Sequence, residues 1–346
     1  MKTETAVLRD TTQPLSIEEL DVPQLKPGQV LVKISYSGVC HTQLSECRGR
    51  RGPDAFLPHC LGHEGSGLVV DVGPSVTKVK NGQRVLLSWM KGSGADVPGT
   101  IYGSALGNVN SGAITTFGRF SVISENRLTV LPDTISLKDA ALLGCAVPTG
   151  IGAVMNTAQA QSGQSVVVFG AGGIGLCAVV GAAIAGCDPI VAVDVNPVKL
   201  TAATQVGATH TINAGDPDFV TNLKQITKSG FDVAVEATGR KEPMELALQV
   251  VRNQGGRAVI LGNAVFGEKI SIDPREFNAG KQLRGSWGGD NNPDRDFPKY
   301  FDYLQAGKLQ LAPFQASVYS LSQVNQALDD LESGKVVRPL LDMETN

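Results

Sequence analysis

Hydrophobic residues follow two different patterns along the chain, and the change between them falls near residue 145. Before it, short runs rich in Val, Leu and Ile are separated by turn signals such as Asn81-Gly82. These runs predict β-strands at ETAVLRD, QVLVKISYSGV, GLVVDVG and QRVLLSW. Residues 88–118 show neither a helical nor a strand period, so we predict a long Gly/Ser/Thr-rich lobe there.

From about Gln164, buried-strand runs alternate with helical patterns. The strand SVVVF precedes a helix with small residues on its packing face, and PIVAVD precedes the helix PVKLTAATQVG. The strands THTIN, FDVAVEATG, RAVILG and KQLRGSW follow, with a helix from Pro243 to about Val251. This alternation predicts right-handed crossovers and a parallel sheet. The tail predicts one amphipathic helix, SLSQVNQALDDLESGK, and a last strand, VVRPLLDM, that could return to the first domain.

Composition and charge narrow the class of protein. The chain has 346 residues, enough for two domains, and its 42% hydrophobic and 18% charged content is typical of a globular protein. A net charge of −3 offers no electrostatic footprint for nucleic acid or an anionic membrane, so we expect neither partner. The N-terminus lacks an apolar signal segment, and the six cysteines are scattered. We therefore predict a cytoplasmic protein.

The segment GAGGIG, residues 170–175, follows SVVVF directly and begins a helix. This context matches a dinucleotide-binding loop, in which glycines allow a tight turn, a close approach to pyrophosphate and helix packing. The helix N-terminus adds N–H groups and a partial positive charge. A turn without a ligand is the alternative. The candidate cofactor residues of this loop are Gly170, Gly172, Gly173, Ile174 and Gly175.

Asp194 indicates which dinucleotide the loop would take. It ends the next strand, 19 residues after Gly175, where a carboxylate can accept a hydrogen bond from a ribose 2′-hydroxyl. A 2′-phosphate would meet like charge there, at a cost of up to ~4 kcal/mol. The following VNPVK contains no arginine to offset it. The sequence thus predicts NAD rather than NADP, with Lys199 near the adenosine ribose.

Two short polar clusters in the first domain and a third just before the α/β unit could bind a metal. They are GVCHT around Cys40, LGHEG around His63 and LGCAVPTG around Cys145. Two thiolates and an imidazole form a known catalytic zinc set that leaves a fourth position open. Each cysteine taken singly is more often a small buried hydrophobe. From spacing alone, both interpretations stay open.

The motifs GVCHT, GHEGSG, GCAVPTG, VVVFGAGGIG and VAVD together resemble the zinc-dependent medium-chain alcohol dehydrogenases, and the resemblance runs nearly end to end, as far as ESGKVVRPLL. It implies a GroES-like β-rich catalytic domain interrupted by a Rossmann domain with a doubly wound parallel sheet. The implied bounds are 1–147 and 288–346 for the catalytic domain and 148–287 for the Rossmann domain. The family also implies a homodimer or homotetramer, by analogy alone.

The resemblance further implies roles for individual residues. The zinc ligands would be Cys40, His63 and Cys145, and Glu64 would be a carboxylate close to the metal. Thr42 would bind the substrate oxygen and start a proton relay. The remaining implied sites are the cofactor pyrophosphate, the substrate pocket and the nicotinamide. Their residues are His41 and Arg338 for the pyrophosphate, Trp89 for the pocket and Thr149 for the nicotinamide.

The chain departs from the family pattern in three places. Residues 88–118 contain no cysteine, where many members hold a four-cysteine structural zinc, so we predict a single zinc per chain. Ser45 replaces the histidine that often ends the relay, so the sequence does not define how the proton leaves the relay. Gln43 replaces a common acidic residue; it can orient a neighbour but supplies no charge to a zinc-bound imidazole. Separately, Cys60 has its own C-x-x-H spacing and rivals Cys40 as a ligand.

The sequence therefore predicts an oxidoreductase that transfers a hydride between an alcohol, or its aldehyde or ketone, and NAD. A polyol or sugar-alcohol dehydrogenase of the same superfamily is an alternative, although such enzymes often use Glu where this chain has Cys145. A zinc-free quinone reductase would lack the three ligands. An NAD-binding sensor or structural protein that has lost turnover is the alternative outside enzymes.

Overall fold

The computed structural model describes residues 1–314 and 317–345, which divide into two compact units. The first unit comprises Met1–Cys145, Asn292–Ala306 and the described residues of Phe314–Asn346. The second comprises Ala146–Asn291 and Gly307–Pro313.

Strands and helices are numbered in chain order. The strands are β1 Lys2–Leu8, β2 Ser16–Asp21, β3 Gln29–Gly38, β4 His59–Cys60, β5 Glu64–Val72, β6 Arg84–Ser88, β7 Ile101–Tyr102, β8 Val109–Asn110, β9 Phe120–Ser124, β10 Leu128–Val130, β11 Val166–Phe169, β12 Ile190–Asp194, β13 His210–Asn213, β14 Val233–Glu236, β15 Arg257–Ile260, β16 Gln282–Gly285, β17 Val318–Ser320 and β18 Leu340–Asp342. The α-helices are α1 His41–Cys47, α2 Leu137–Ala141, α3 Ala146–Gly152, α4 Gly173–Ile184, α5 Pro197–Gln205, α6 Phe219–Ile226, α7 Lys241–Val250, α8 Arg275–Asn278, α9 Pro293–Gln305 and α10 Val324–Glu332. A π-helix, Ala153–Thr157, continues α3.

The first unit is β-rich and contains two sheets. One has the strand order β2-β1-β4-β8-β7; the other has the order β10-β6-β5-β3-β18-β17, with β9 also paired to β3. The C-terminal strand β18 pairs antiparallel with β3, Leu340 opposite Gly38, so the tail returns to the first unit as its sequence suggested. The segment 88–118, predicted as a lobe, begins at the last residue of β6 and otherwise contains only the two-residue strands β7 and β8.

The second unit is a six-stranded parallel sheet with the order β13-β12-β11-β14-β15-β16. Counted from β11, this is the 3-2-1-4-5-6 order of a doubly wound nucleotide-binding fold. The strand order reverses beside β11, whose two neighbours are β12 and β14. Loops that follow these strands therefore lie where such folds bind their ligands.

Two helices begin with an Asn-Pro pair, and the sequence analysis predicted only one of them. Helix α5 begins at Pro197, the first residue of the predicted helix PVKLTAATQVG, and the side chain of Asn196 accepts from Val198 N at 2.9 Å. The same Asn-Pro pair, Asn292-Pro293, begins α9, which the sequence analysis did not predict.

The tail also differs from its prediction. The single amphipathic helix predicted there is a 3₁₀ turn, Leu321–Gln323, followed by α10. Within the described ranges, no single helix has both the length and the apolar character to span a membrane. The consecutive helices Leu137–Gly144 and Ala146–Thr157 meet that test only when taken together, by length and composition alone.

Candidate metal centre and cofactor loop

The start of helix α1 positions two of the predicted metal-site residues. Cys40 precedes the helix in an extended conformation, and Gln43 Oε1 accepts from its backbone N–H at 3.0 Å. This bond satisfies an N–H donor and fixes Cys40 at the helix start. Thr42 follows in the first turn, with its Oγ1 3.8 Å from Cys40 Sγ.

Cys40, His63 and Cys145 converge in the first unit, although they come from three separate segments. Their ligand atoms lie within 4.8 Å of one another, and His63 Nε2 is 3.1 Å from Cys145 Sγ. Both cysteines are buried and His63 is half-buried. Among residues 1–314 and 317–345 this is the one such group of three or more His, Cys, Asp or Glu side chains. Two sulfur atoms and one imidazole nitrogen are donors that suit zinc.

The surroundings of Cys40 favour the thiolate form that binds metals. A hydrogen bond with the Cys145 side chain lowers the pKa of Cys40 well below its usual value, and the Arg338 and His63 side chains act in the same direction, against burial. Its rival, Cys60, lies instead in an apolar cluster with Leu20 and Tyr102. Burial raises the pKa of Cys60 to about 12. The structure thus groups Cys40, and not Cys60, with the other two candidate ligands.

Glu64 and Arg338 form a buried ion pair in the first unit. Their side chains are 0% and 4% exposed. Two glycines make room for the carboxylate, because a Cβ on Gly38 would lie 2.4 Å from Glu64 Oε1 and one on Gly144 would lie 2.7 Å from Glu64 Cβ. Arg338 was predicted beside a pyrophosphate and Glu64 beside the metal. In the structure the two side chains contact each other as an ion pair.

The glycine-rich loop of the second unit has the geometry that its sequence predicted. Gly170 has a φ of 89°, which favours glycine, and a Cβ on Gly175 would lie 1.7 Å from Gly170 O. A Cβ on Gly172 would meet no atom within 4 Å. The space above Gly172 is therefore open, as the close approach of a pyrophosphate requires. Gly173 and Ile174 begin helix α4.

Asp194 lies at the carboxyl end of β12 and braces this loop. Its Oδ2 accepts from Ala171 N at 2.8 Å, and its Oδ1 accepts from Asn196 N at 2.9 Å. Each oxygen keeps a second lone pair for a ligand hydroxyl. Lys199 lies half-buried on α5, and Thr149 is buried on α3.

Three further predicted residues lie in the first unit. His41 is exposed and Ser45 half-buried, and both lie on α1. The predicted relay residues Thr42 and Ser45 are therefore about one helical turn apart. Trp89 follows β6 and is half-buried; its carbonyl oxygen accepts from the guanidinium of Arg127, a buried residue that the sequence analysis missed. No short motif marks Arg127, so only the folded chain reveals it.

The cysteine-free lobe is fastened by carboxylates, which the sequence analysis also missed. Glu125 accepts from the backbone N–H groups of Thr77 and Lys78 through Oε2, at 2.8 and 2.9 Å, and of Ala95 through Oε1 at 2.9 Å. Asp294 accepts from Lys78 Nζ at 2.7 Å and from Ser93 N. A buried acid with three backbone donors thus ties the lobe to neighbouring turns.

Known protein families match both halves of the chain. Residues 26–133 match the model of the alcohol dehydrogenase GroES-like domain, and residues 173–306 match that of the zinc-binding dehydrogenases. The S-(hydroxymethyl)glutathione dehydrogenases of Photobacterium damsela subsp. piscicida and a Synechocystis strain are each 36% identical, over 99% of this chain and 100% of theirs.

Solved structures agree with these matches. The alcohol dehydrogenase zinc-binding domain protein from Burkholderia ambifaria superposes with a TM-score of 0.90 at 30% identity, and benzyl alcohol dehydrogenase from Acinetobacter calcoaceticus superposes with 0.90 at 27%. In both cases 99% of each chain is covered. Fold, thiol–imidazole cluster and glycine loop define a zinc-dependent oxidoreductase. The chain belongs to the medium-chain alcohol dehydrogenase-like family.

Proposed function

We propose that this enzyme transfers a hydride between an alcohol, or the corresponding aldehyde or ketone, and NAD. The observation that carries the proposal is the convergence of the buried Cys40 and Cys145 with the half-buried His63. Names of relatives support an alcohol substrate: the sequence relatives at 36% identity act on S-(hydroxymethyl)glutathione, and the structure at 27% acts on benzyl alcohol.

The residues around the cluster have definable tasks. Bound zinc supplies a Lewis acid that makes an alcohol hydroxyl more acidic. Thr42, one turn from Ser45 on α1, accepts the hydroxyl proton of the alcohol and passes it outward through its own hydroxyl. Cys40, His63 and Cys145 would hold the zinc, and three protein ligands are the number found in catalytic zinc sites that stay open to substrate.

The glycine loop and Asp194 argue for NAD. Residues 170–175 would hold the pyrophosphate at the start of α4, where backbone N–H groups face it. Asp194 would accept from the 2′-hydroxyl of the adenosine ribose while keeping its two backbone bonds. A phosphate at the 2′ position would meet the carboxylate as like charge. Equal kcat/KM values with NADH and NADPH would contradict this assignment.

The decisive experiment is spectrophotometric reduction of NAD with a substrate panel. The panel contains primary and secondary alcohols, benzyl alcohol, S-(hydroxymethyl)glutathione and polyols of matched size. Turnover of simple alcohols supports the proposal, and turnover confined to polyols supports the alternative. No turnover with any of them by the zinc-loaded protein would favour an NAD-binding protein without activity. Full activity after complete removal of zinc would refute the role of the metal.

We also propose one zinc per chain, domain boundaries at 147/148 and 287/288, and a cytoplasmic homo-oligomer. The single thiol–imidazole cluster in the described residues and the absence of cysteine from 88–118 support the stoichiometry. Metal analysis tests it, since two equivalents of zinc per chain would contradict it. Light scattering of the purified chain tests the oligomer, and a monomer would contradict it.

A further inference from the structure

The side chain of Gln43 has one acceptor oxygen but faces two nitrogens at the metal site, the backbone nitrogen of Cys40 and the ring nitrogen Nδ1 of His63. The residue is 2% exposed, so water does not reach it freely. Its Oε1 lies 3.0 Å from the backbone nitrogen of Cys40, and its Nε2 contacts His63 Nδ1. The other ring nitrogen, His63 Nε2, faces Cys145 Sγ at 3.1 Å.

In this arrangement every group has a suitable partner. The amide oxygen accepts from Cys40 N–H and the amide nitrogen donates to Nδ1 of His63. The proton of the neutral imidazole then lies on Nε2, where it points at the sulfur of Cys145. The network is complete without a metal.

Zinc binding requires the opposite arrangement of the imidazole. Because Nε2 is the ring atom that faces Cys145 Sγ while Nδ1 contacts Gln43, Nε2 must offer its lone pair to zinc and the ring proton must move to Nδ1. Nδ1–H then needs an acceptor but meets the amide nitrogen, which is also a donor. A half-turn of the amide brings Oε1 to Nδ1–H, yet it turns the nitrogen toward Cys40 N–H. In either orientation one of the two donors loses its acceptor.

We propose that Gln43 is a positioning residue that limits zinc affinity, because one amide oxygen must serve both Cys40 N–H and His63 Nδ1–H. The inference rests on the metal site proposed above. A carboxylate at position 43 would offer an oxygen to each donor. The amide therefore keeps the metal-free site ordered and makes zinc less tightly held than the same three ligands allow.

Two substitutions of similar length test the proposal, Gln43→Glu and Gln43→Met. Zinc affinity is measured by competition with a chromophoric chelator at pH 7.5. Since partners of a ligating histidine change metal affinity by about 10–100-fold, we expect Gln43→Glu to bind zinc tighter by that factor. Gln43→Met serves neither donor and should bind zinc more weakly than the wild type. An unchanged affinity in Gln43→Glu would overturn the proposal, even if Gln43→Met does not fold.

A second measurement separates hydrogen bonding from the added charge. In the zinc-loaded wild type, either the Cys40 backbone N–H or the His63 Nδ1–H lacks an acceptor. In zinc-loaded Gln43→Glu, we expect the proton of that donor to exchange about tenfold more slowly than in the zinc-loaded wild type, because it regains a dedicated acceptor. Tighter zinc binding with unchanged exchange of both protons would mean that charge alone acts, and would overturn the proposal. Nitrogen-15 NMR of His63 should show the ring proton moving from Nε2 to Nδ1 on zinc addition.

The same data distinguish failure of this inference from failure of the proposed site. If the wild type binds no zinc, or if the nitrogen signals of His63 do not respond to zinc, the metal site itself is wrong. If His63 responds and the three proteins bind zinc equally, the site stands and only the role of Gln43 is wrong.

Discussion

The glycine-rich loop of the second unit and the thiol–imidazole cluster of the first, the two proposed ligand sites, are built by opposite means. The loop works through missing side chains: Gly172 leaves space and Gly175 lets α4 approach Gly170 O. The cluster depends on polar side chains, each of which needs a hydrogen-bond partner. Cys40 and His63 both find theirs in the side chain of Cys145. A site formed by glycines is determined by the local backbone. A site formed by polar side chains depends on segments that are distant in sequence.

The largest effect should come from removing a ligand from the cluster. We expect Cys40→Ala to lose bound zinc and to lower kcat/KM by about 10³–10⁴-fold, since a Lewis acid contributes several kcal/mol. Cys60→Ala is the matched control, because Cys60 is equally buried but lies in the apolar cluster. Zinc content and initial rates check both. Loss of zinc from Cys60→Ala together with retention in Cys40→Ala would reverse the assignment.

Breaking the Glu64–Arg338 pair should come next. Arg338→Met leaves a buried carboxylate without its counter-ion, so we expect the free energy of unfolding to fall by about 3–5 kcal/mol. The double variant Glu64→Leu/Arg338→Met removes both charges and should recover much of that loss. Urea unfolding of the two proteins measures the difference. Equal losses in both variants would show that packing, and not the unpaired charge, dominates here.

The glycine loop should respond in two distinguishable ways. In Gly172→Ala the new methyl group has no protein atom within 4 Å, and the residue has a φ of −76°. The free energy of unfolding should therefore change by less than about 0.5 kcal/mol. The dissociation constant for NAD should nevertheless rise by about tenfold or more, since the methyl group occupies the pyrophosphate space. Calorimetric titration and thermal unfolding separate the two quantities.

Gly175→Ala is the counterpart, because its Cβ would lie 1.7 Å from Gly170 O. This variant should unfold at lower temperature even without NAD. If Gly172→Ala also unfolds early, or binds NAD normally, the division of labour between these two glycines is wrong.

This contrast also explains what the sequence could predict. The loop, helix α4 and Asp194 are close in sequence, and a strand–glycine–helix pattern with a nearby acid was sufficient to predict their placement. Spacing suggested the three candidate ligands but left open whether they bind a metal, and the family resemblance favoured Cys40 over Cys60. The partners of the cluster were harder still. Glu64 and Arg338 come from opposite ends of the chain, and neither neighbouring sequence indicates that they pair.

Two other misses have local causes. Helix α9 contains Pro298 and begins at Pro293, and prolines usually mark a helix boundary. Pro293 occupies the first turn, where a missing N–H costs nothing. The π-helix Ala153–Thr157 follows α3 in a stretch that shows no distinctive period, so its irregular turn could not be read from the sequence.

The smallest predicted effect concerns the cysteine-free lobe, where the carboxylate of Glu125 accepts three backbone hydrogen bonds. Burial raises the pKa of Glu125, but the hydrogen bonds from the backbone N–H groups of Ala95, Lys78 and Thr77 together outweigh this effect. The pKa of Glu125 therefore lies below its usual value. A group whose pKa is lowered on folding adds stability above its unfolded pKa and loses it as the pH falls through its folded pKa. Glu125→Gln should therefore lower the unfolding free energy by about 1 kcal/mol at pH 7 and less below pH ~4. Urea unfolding at both pH values checks this, with the exposed Glu268→Gln as control. An equal loss at both pH values would show that the charge of Glu125 does not fasten the lobe.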